Sequence, residues 1–240
     1  MMRLDKFLSH TGFGSRKEVK SLLKKKLISV NDQIVKEGKK IIDETSDQIK
    51  VSGQLVLYQK YFYYMLNKPQ GVVSATEDSE HRTVIDLLAD KDKTLGLFPV
   101  GRLDKDTTGL LLLTNDGELA HQLLSPKKKV AKIYRAQIAG IMTEADIMSF
   151  ADGVTLKDGY TCLPAELVIL SVDDISQQSL VDISILEGKY HQVKRMVAAV
   201  DKKVLSLDRL SMGGLVLDST LEKGAYRCLT ADEMLTIKRI

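Results

Sequence analysis

Between Gly101 and Gly109 the chain reads Gly101-Arg102-Leu103-Asp104-Lys105-Asp106-Thr107-Thr108-Gly109, and it continues directly into the apolar run Leu110-Leu111-Leu112-Leu113. Two carboxylates, flanked by two cations and two hydroxyls, therefore stand at the mouth of what reads as a buried strand. Loops held by rigid strands are where chemistry concentrates. A carboxylate there can act as a nucleophile or take up a proton. Asp104 and Asp106 are two residues apart, so an extended segment would put both on one face. A hydrolytic pair of carboxylates needs a defined separation of roughly 5–9.5 Å, which close neighbours in one loop seldom reach, so a two-carboxylate glycosidase is disfavoured. The plain alternative is that Asp104 pairs with Arg102 or Lys105 as an ordinary surface ion pair. Thr107, Thr108, Asn115 and Asp116 are expected to fix the loop through side-chain-to-backbone hydrogen bonds.

Other chemistries have less to work with. Cys162 and Cys228 are isolated, and no Cys-x-x-Cys pair is present. His10, His81, His121 and His191 are far apart in sequence, which gives no support to a metal site. No glycine-rich cofactor loop follows a strand. The apolar runs are far shorter than a bilayer span. The first residues lack a signal-like apolar stretch, so the expectation is a cytoplasmic protein.

The elements that would position the loop follow from local pattern. Phe62, Tyr64 and Leu66 alternate with Tyr63 and Met65, a strand ended by Asn67-Lys68-Pro69-Gln70-Gly71. Further strands are expected over 110–114, 134–138, 163–170 and 180–186. Helices are expected over 84–89, 118–124, 144–150 and 192–200. In the last of these Val193, Met196, Val197 and Val200 form a buried stripe while Lys194 and Arg195 project elsewhere. Strands outnumber helices and several connections are hairpin-length, so the body reads as mixed, mainly antiparallel α+β. Lys127-Lys128-Lys129 is either a solvated charge run or an accessory polyanion contact.

Charge divides the 240 residues unevenly. The whole chain is +3, but residues 1–60 carry thirteen Lys and Arg against seven Asp and Glu. Ser15-Arg16-Lys17-Glu18 is a capping box. The helix it opens has Val19, Leu22 and Leu23 at core spacing and Arg16, Lys17, Lys20, Lys24, Lys25 and Lys26 at its other positions and its end. A shorter helix around Leu4, Phe7 and Leu8 precedes it, and a hairpin follows with Asn31-Asp32 at its turn. Such a local basic module suits phosphate binding, against the plainer reading of a lysine-rich solvated face. The division expected is a domain over 1–60 and a second over 61–240.

Arg3-Leu4-Asp5-Lys6-Phe7-Leu8, Ser15-Arg16 and Ile28-x-Val30-Asn31 resemble the S4 RNA-binding module, with Asp32 and Lys26 standing where that module commonly has glycine. The loop at Asp104 resembles the active-site motif of the pseudouridine synthases, in the branch of the small-subunit ribosomal enzyme. Asn67-Lys68-Pro69-Gln70-Gly71, Lys132-Ile133-Tyr134 and the block from Glu187 to Met196 match further blocks of that family in order. The resemblance implies a small α/β S4-like domain followed by a mixed, mainly antiparallel catalytic domain. It implies isomerisation of a uridine in 16S ribosomal RNA to its C-glycoside, with no cofactor and no metal; the alternatives are a 23S enzyme or a non-catalytic ribosome-assembly factor. It implies Asp104 as the essential carboxylate, nucleophile or base, with Tyr134 against the uracil and Lys194 paired to the aspartate, Arg195 sharing that role. Arg102 would fill the space left by the flipped base. Arg3, Arg16, Lys17 and Lys20 would contact phosphates. The implied partner is ribosomal RNA or a small-subunit assembly particle, met by a monomer away from membranes. Tyr190-His191 resembles the small-subunit wording, where large-subunit relatives carry Asn-Arg.

Overall fold

The computed structural model describes residues 1–56 and 58–239, which fall into two compact units. One comprises 1–62 together with Leu88–Phe98. The other comprises Tyr63–Leu87 and the chain from Pro99 onward. The eleven-residue return at 88–98 is invisible to a charge count along the chain, because it carries no compositional break.

The N-terminal unit is built on helices Leu4–His10 and Arg16–Lys24. The backbone N–H of Ser15 donates to Glu18 Oε2 at 2.7 Å, closing the capping box that starts the second helix. Val19 and Leu23 then turn inward against Leu4, Phe7 and Leu8, while Arg16, Lys17, Lys20 and Lys24 stay exposed. Ile28, Val30, Ile49 and Val51 complete this core from a four-stranded sheet. The hairpin turn there has φ of +51° at Asn31 and +64° at Asp32. Two consecutive left-handed residues make a primed turn, whose twist matches the flanking strands. Aspartate tolerates this conformation without glycine. Lys26 is also left-handed, with φ of +56°, and a lysine holds that geometry at greater cost.

In the larger unit, strands stand in the order Glu166–Asp173, Gln178–Ile185, Lys132–Ala139, Lys203–Met212, Thr108–Thr114, Tyr63–Lys68 and Tyr226–Cys228. Neighbours along this path are antiparallel except Thr108–Thr114 beside Lys203–Met212, which run parallel at Thr108↔Asp208 and Gly109↔Arg209. The α+β reading, with a small helix-and-sheet module ahead of a mixed sheet, is therefore the observed architecture. Leu110 through Leu113 are wholly buried, because this strand is central and both its faces are covered, which explains a continuous apolar run instead of alternation. Gly109 is required at the parallel contact. Its φ is +98°, and a Cβ there would collide with the backbone N and O of Arg209.

Two local expectations change. The segment expected as a helix over 84–89 forms only a single 3₁₀ turn, Ile85–Leu87. Val73 and Thr83 form a parallel bridge just before it, and the Thr83 N–H donates to Asp86 Oδ2 at 2.7 Å, so the chain is pinned into a tight turn. The strand expected over 163–170 lies at Glu166–Asp173, past Pro164, which has no N–H for the ladder.

Candidate active site

The loop after Gly101 is held from beneath. Lys68, the last residue of strand Tyr63–Lys68, is fully buried, and its Nζ donates to the carbonyls of Thr107 at 2.8 Å and Asp104 at 3.0 Å. The Ser74 hydroxyl donates to Leu103 O at 2.9 Å and accepts from Leu103 N at 3.0 Å. Gly71 N–H donates to Lys105 O, and Thr107 N–H to Asp104 O, which makes residues 104–107 a closed turn. Asp104 is thereby a side chain on a fixed backbone, although it sits in a loop. Burial lowers the Lys68 amine to about 8, a fall opposed by the carboxylates of Asp106 and Asp104.

The opposite wall is the start of helix Gln192–Ala199. Val193, Met196 and Val197 anchor it in the core. The loop leading into it is tied by Glu187, whose carboxylate accepts from Gln192 Nε2 at 2.7 Å, Leu163 N at 3.0 Å and the Tyr160 hydroxyl at 2.7 Å. Lys194 projects from the first turn, where its Nζ donates to Asp104 Oδ2 at 2.8 Å and Asp106 Oδ1 at 2.6 Å. One ammonium thus bridges both carboxylates. Its proton is held more tightly than usual: burial works against the charge, and the hydrogen bonds to Asp104 and Asp106 outweigh it. Asp106 is correspondingly acidified, chiefly by the Lys194 hydrogen bond. His191 Nε2 lies 3.4 Å from Asp104 Oδ1.

Asp104, Tyr134, Lys194 and Arg102 line one cavity of about 70 Å³, walled by Leu103, Ile185 and Leu207. Tyr134 is 8% exposed on strand Lys132–Ala139. The cavity adjoins a cleft of about 750 Å³ that also touches Arg102 and Asp104 and extends to Ser74, Lys105, Tyr190 and His191. The arrangement offers a carboxylate with one cation fixed on it, an aromatic side chain and a few apolar side chains among polar ones.

The site corrects several sequence readings. Asp104 pairs with Lys194 and His191 rather than with Arg102 or Lys105. Arg195 does not share the aspartate: its guanidinium pairs with Asp158, because successive helical residues diverge by about 100°. Thr107 Oγ1 is buried without a hydrogen-bond partner, so that hydroxyl does not fix the loop. Asp116 does act locally, accepting from Leu119 N at 3.1 Å as a helix N-cap. Lys68 and His191 belong to the site although neither was assigned a role there from sequence. The chain separation of 36 residues between Lys68 and Asp104 leaves no spacing signal; for both Lys68 and His191 the only sign was a place in a family block.

In the N-terminal unit Arg3, Arg16, Lys20, Lys36 and Lys39 line a separate hollow of about 480 Å³ with Asp5 and Glu37. Arg3 Nε donates to Asp5 Oδ1 at 3.0 Å. Lys17 is exposed and does not line this hollow.

Comparison with known proteins gives concordant matches. Residues 62–199 match the RNA pseudouridylate synthase family and residues 2–49 match the S4 domain. The uncharacterized RNA pseudouridine synthase YtzG of Bacillus subtilis is 47% identical, covering 97% of both chains. Ribosomal small subunit pseudouridine synthase A of Vibrio cholerae is 40% identical over 98% of this chain and 99% of its own. Ribosomal large subunit pseudouridine synthase B of Bacillus subtilis is 38% identical over 100% and 97%. A solved pseudouridylate synthase is 37% identical, with a TM-score of 0.68 over 99% of this chain and 100% of that one.

Proposed function

Because the chain belongs to the RNA pseudouridylate synthase family and carries an S4 domain, we propose that it isomerises one uridine of small-subunit (16S) ribosomal RNA, with Asp104 as the reacting carboxylate. The observation that carries the residue assignment is the convergence of Asp104, Tyr134 and Lys194 on one cavity. The small-subunit target is favoured by Tyr190-His191 in the block beside Asp104, and by small-subunit relatives at 40% and 41% identity. A large-subunit relative at 38% makes 23S RNA the second reading.

The chemistry asks for little beyond these groups. The C1′–N1 bond breaks, the uracil turns within the cavity, and C5 bonds to C1′; C5 then loses its proton and N1 takes one up, so that the product is an isomer of the substrate. No water is activated, since the base is retained. The target must leave its helix first, because neither C1′ nor C5 is open to attack within a stack, and flipping costs a few kcal/mol. The apolar walls and Tyr134 receive the flat ring. Asp104 acts on the nucleoside either as nucleophile at C1′ or as base on the sugar. Lys194 holds the carboxylate in place as a point charge. Arg102, exposed at the rim, fills the vacated stack or meets a phosphate. Arg195 lies further round the helix as a peripheral RNA contact.

The basic hollow of the S4 domain, with Arg3, Arg16 and Lys20, and the exposed Lys17 bind phosphates and 2′-hydroxyls of an RNA helix, which is read mostly through those groups. The working form is a monomer in the cytoplasm, acting on ribosomal RNA or a small-subunit assembly particle. Among the described residues no helix is long and apolar enough to cross a membrane. The reading is tested by mapping pseudouridines in both large ribosomal RNAs from cells with and without this protein. Loss of one site in 16S RNA is expected. Loss of a site in 23S RNA would move the target to the large subunit, and no loss in either would overturn the reading.

A further inference from the structure

Tyr190 is the most exposed aromatic residue beside the candidate active site, at 75% of its surface. It is not loose: its ring lies on the His191 imidazole with centroids 3.8 Å apart and planes 19° from parallel. The imidazole in turn sits 3.4 Å from Asp104 by its Nε2. His191 holds this position with a left-handed backbone, φ of +50°, a conformation that non-glycine residues adopt at a cost and that gathers at functional sites. The two rings form a short stack that begins at the aspartate and ends in solvent, on one wall of the 750 Å³ cleft. A large ring facing water gains nothing for folding on its open face.

We propose that the Tyr190–His191 pair is a stacking platform for the nucleobase adjoining the flipped uridine. Resting on the reading of the chain as an RNA pseudouridine synthase, this assigns a substrate-positioning role to Tyr190. When the target uridine enters the cavity at Asp104, its neighbour loses a stacking partner. The outer face of Tyr190 supplies a new partner for one such neighbour, two ring layers from the aspartate, and leaves the vacated space itself to Arg102. Base–aromatic stacking accepts any base, so the platform fixes the strand without reading its sequence.

The chain contains no tryptophan, so Tyr190→Trp installs a single indole reporter at the platform. Ribosomal RNA purified from cells lacking the protein is the probe. The expected result is quenching of the indole emission on RNA binding, saturating with the same concentration dependence as complex formation. In steady-state assays on the same RNA, Tyr190→Ala and Tyr190→Leu are expected to raise KM about tenfold with kcat little changed, and Tyr190→Phe to restore the wild-type KM. Unquenched emission in a complex that forms, or a Tyr190→Leu KM equal to wild type, would overturn the platform while leaving the isomerase reading intact. A wild-type protein that makes no pseudouridine in either ribosomal RNA would instead overturn the isomerase reading, and the platform with it.

Discussion

Lys68 shows most clearly how a residue can belong to a site without touching what reacts there. Its ammonium is buried beneath the 104–107 turn, donating to the carbonyl of Thr107 and to that of Asp104, which also accepts from the Thr107 N–H. Leaving such groups unpaired costs about 1–3 kcal/mol each. The amine is lowered to about 8 in the fold and titrates near 10.4 when unfolded. Between those values the unfolded chain binds more protons, so this residue's contribution to stability rises with pH there. Urea titrations should therefore show the stability of wild type relative to Lys68→Met growing by roughly 3 kcal/mol from pH 8 to 10.5. Lys132 is also lowered to about 8 by burial, but it is present in both proteins and cancels. A difference that is flat across this window would remove Lys68 from the account. The residue scale also marks where sequence reasoning stops. Asp104, Tyr134 and Lys194 were identifiable because their types and motif blocks point to one chemistry. Lys68 also stood in a motif block, but its type did not point to an interior role, since the same letter is far more often a solvated cation. Arg195 misled for a different reason: adjacency in sequence is divergence on a helix.

At the scale of elements, the patterns that carried information were those with one physical cause. The capping box at Ser15 and Glu18, the Asn31-Asp32 turn and the wholly apolar 110–113 run each correspond to a geometry that the sequence expresses locally. The 84–89 segment had helical residues but is too short to outweigh a bridge and a side-chain clamp at Thr83. The parallel pairing at Gly109 was not legible at all, because its partner lies 100 residues further along the chain and only the missing side chain permits it. Gly109→Ala is expected to cost about 2–3 kcal/mol, since it combines a left-handed backbone with a collision against the Arg209 main chain. Chemical denaturation measures this directly. A change under about 0.5 kcal/mol, the ordinary range for a surface position, would mean that the close approach is not required.

For the whole molecule, the division of charge assigns labour. The N-terminal sixty residues hold the cationic excess, and the remainder is slightly acidic, so counterion release is expected to belong to the S4 domain. Replacing Arg16 and Lys20 together with alanine should reduce the slope of log affinity against log salt by about one to two, with turnover at saturating RNA retained. An unchanged slope would place the phosphate contacts elsewhere, with Lys127-Lys128-Lys129 the first alternative.

The account turns on Asp104, and the most direct measurement is pseudouridine formation on purified ribosomal RNA by wild type and by Asp104→Asn, with RNA binding measured in parallel. The substitution keeps the size of the side chain while removing its charge and its power as nucleophile or base. Wild type should form pseudouridine at one position, and the variant should form none while binding RNA with nearly the same affinity. Equal turnover by the two proteins would contradict the assignment.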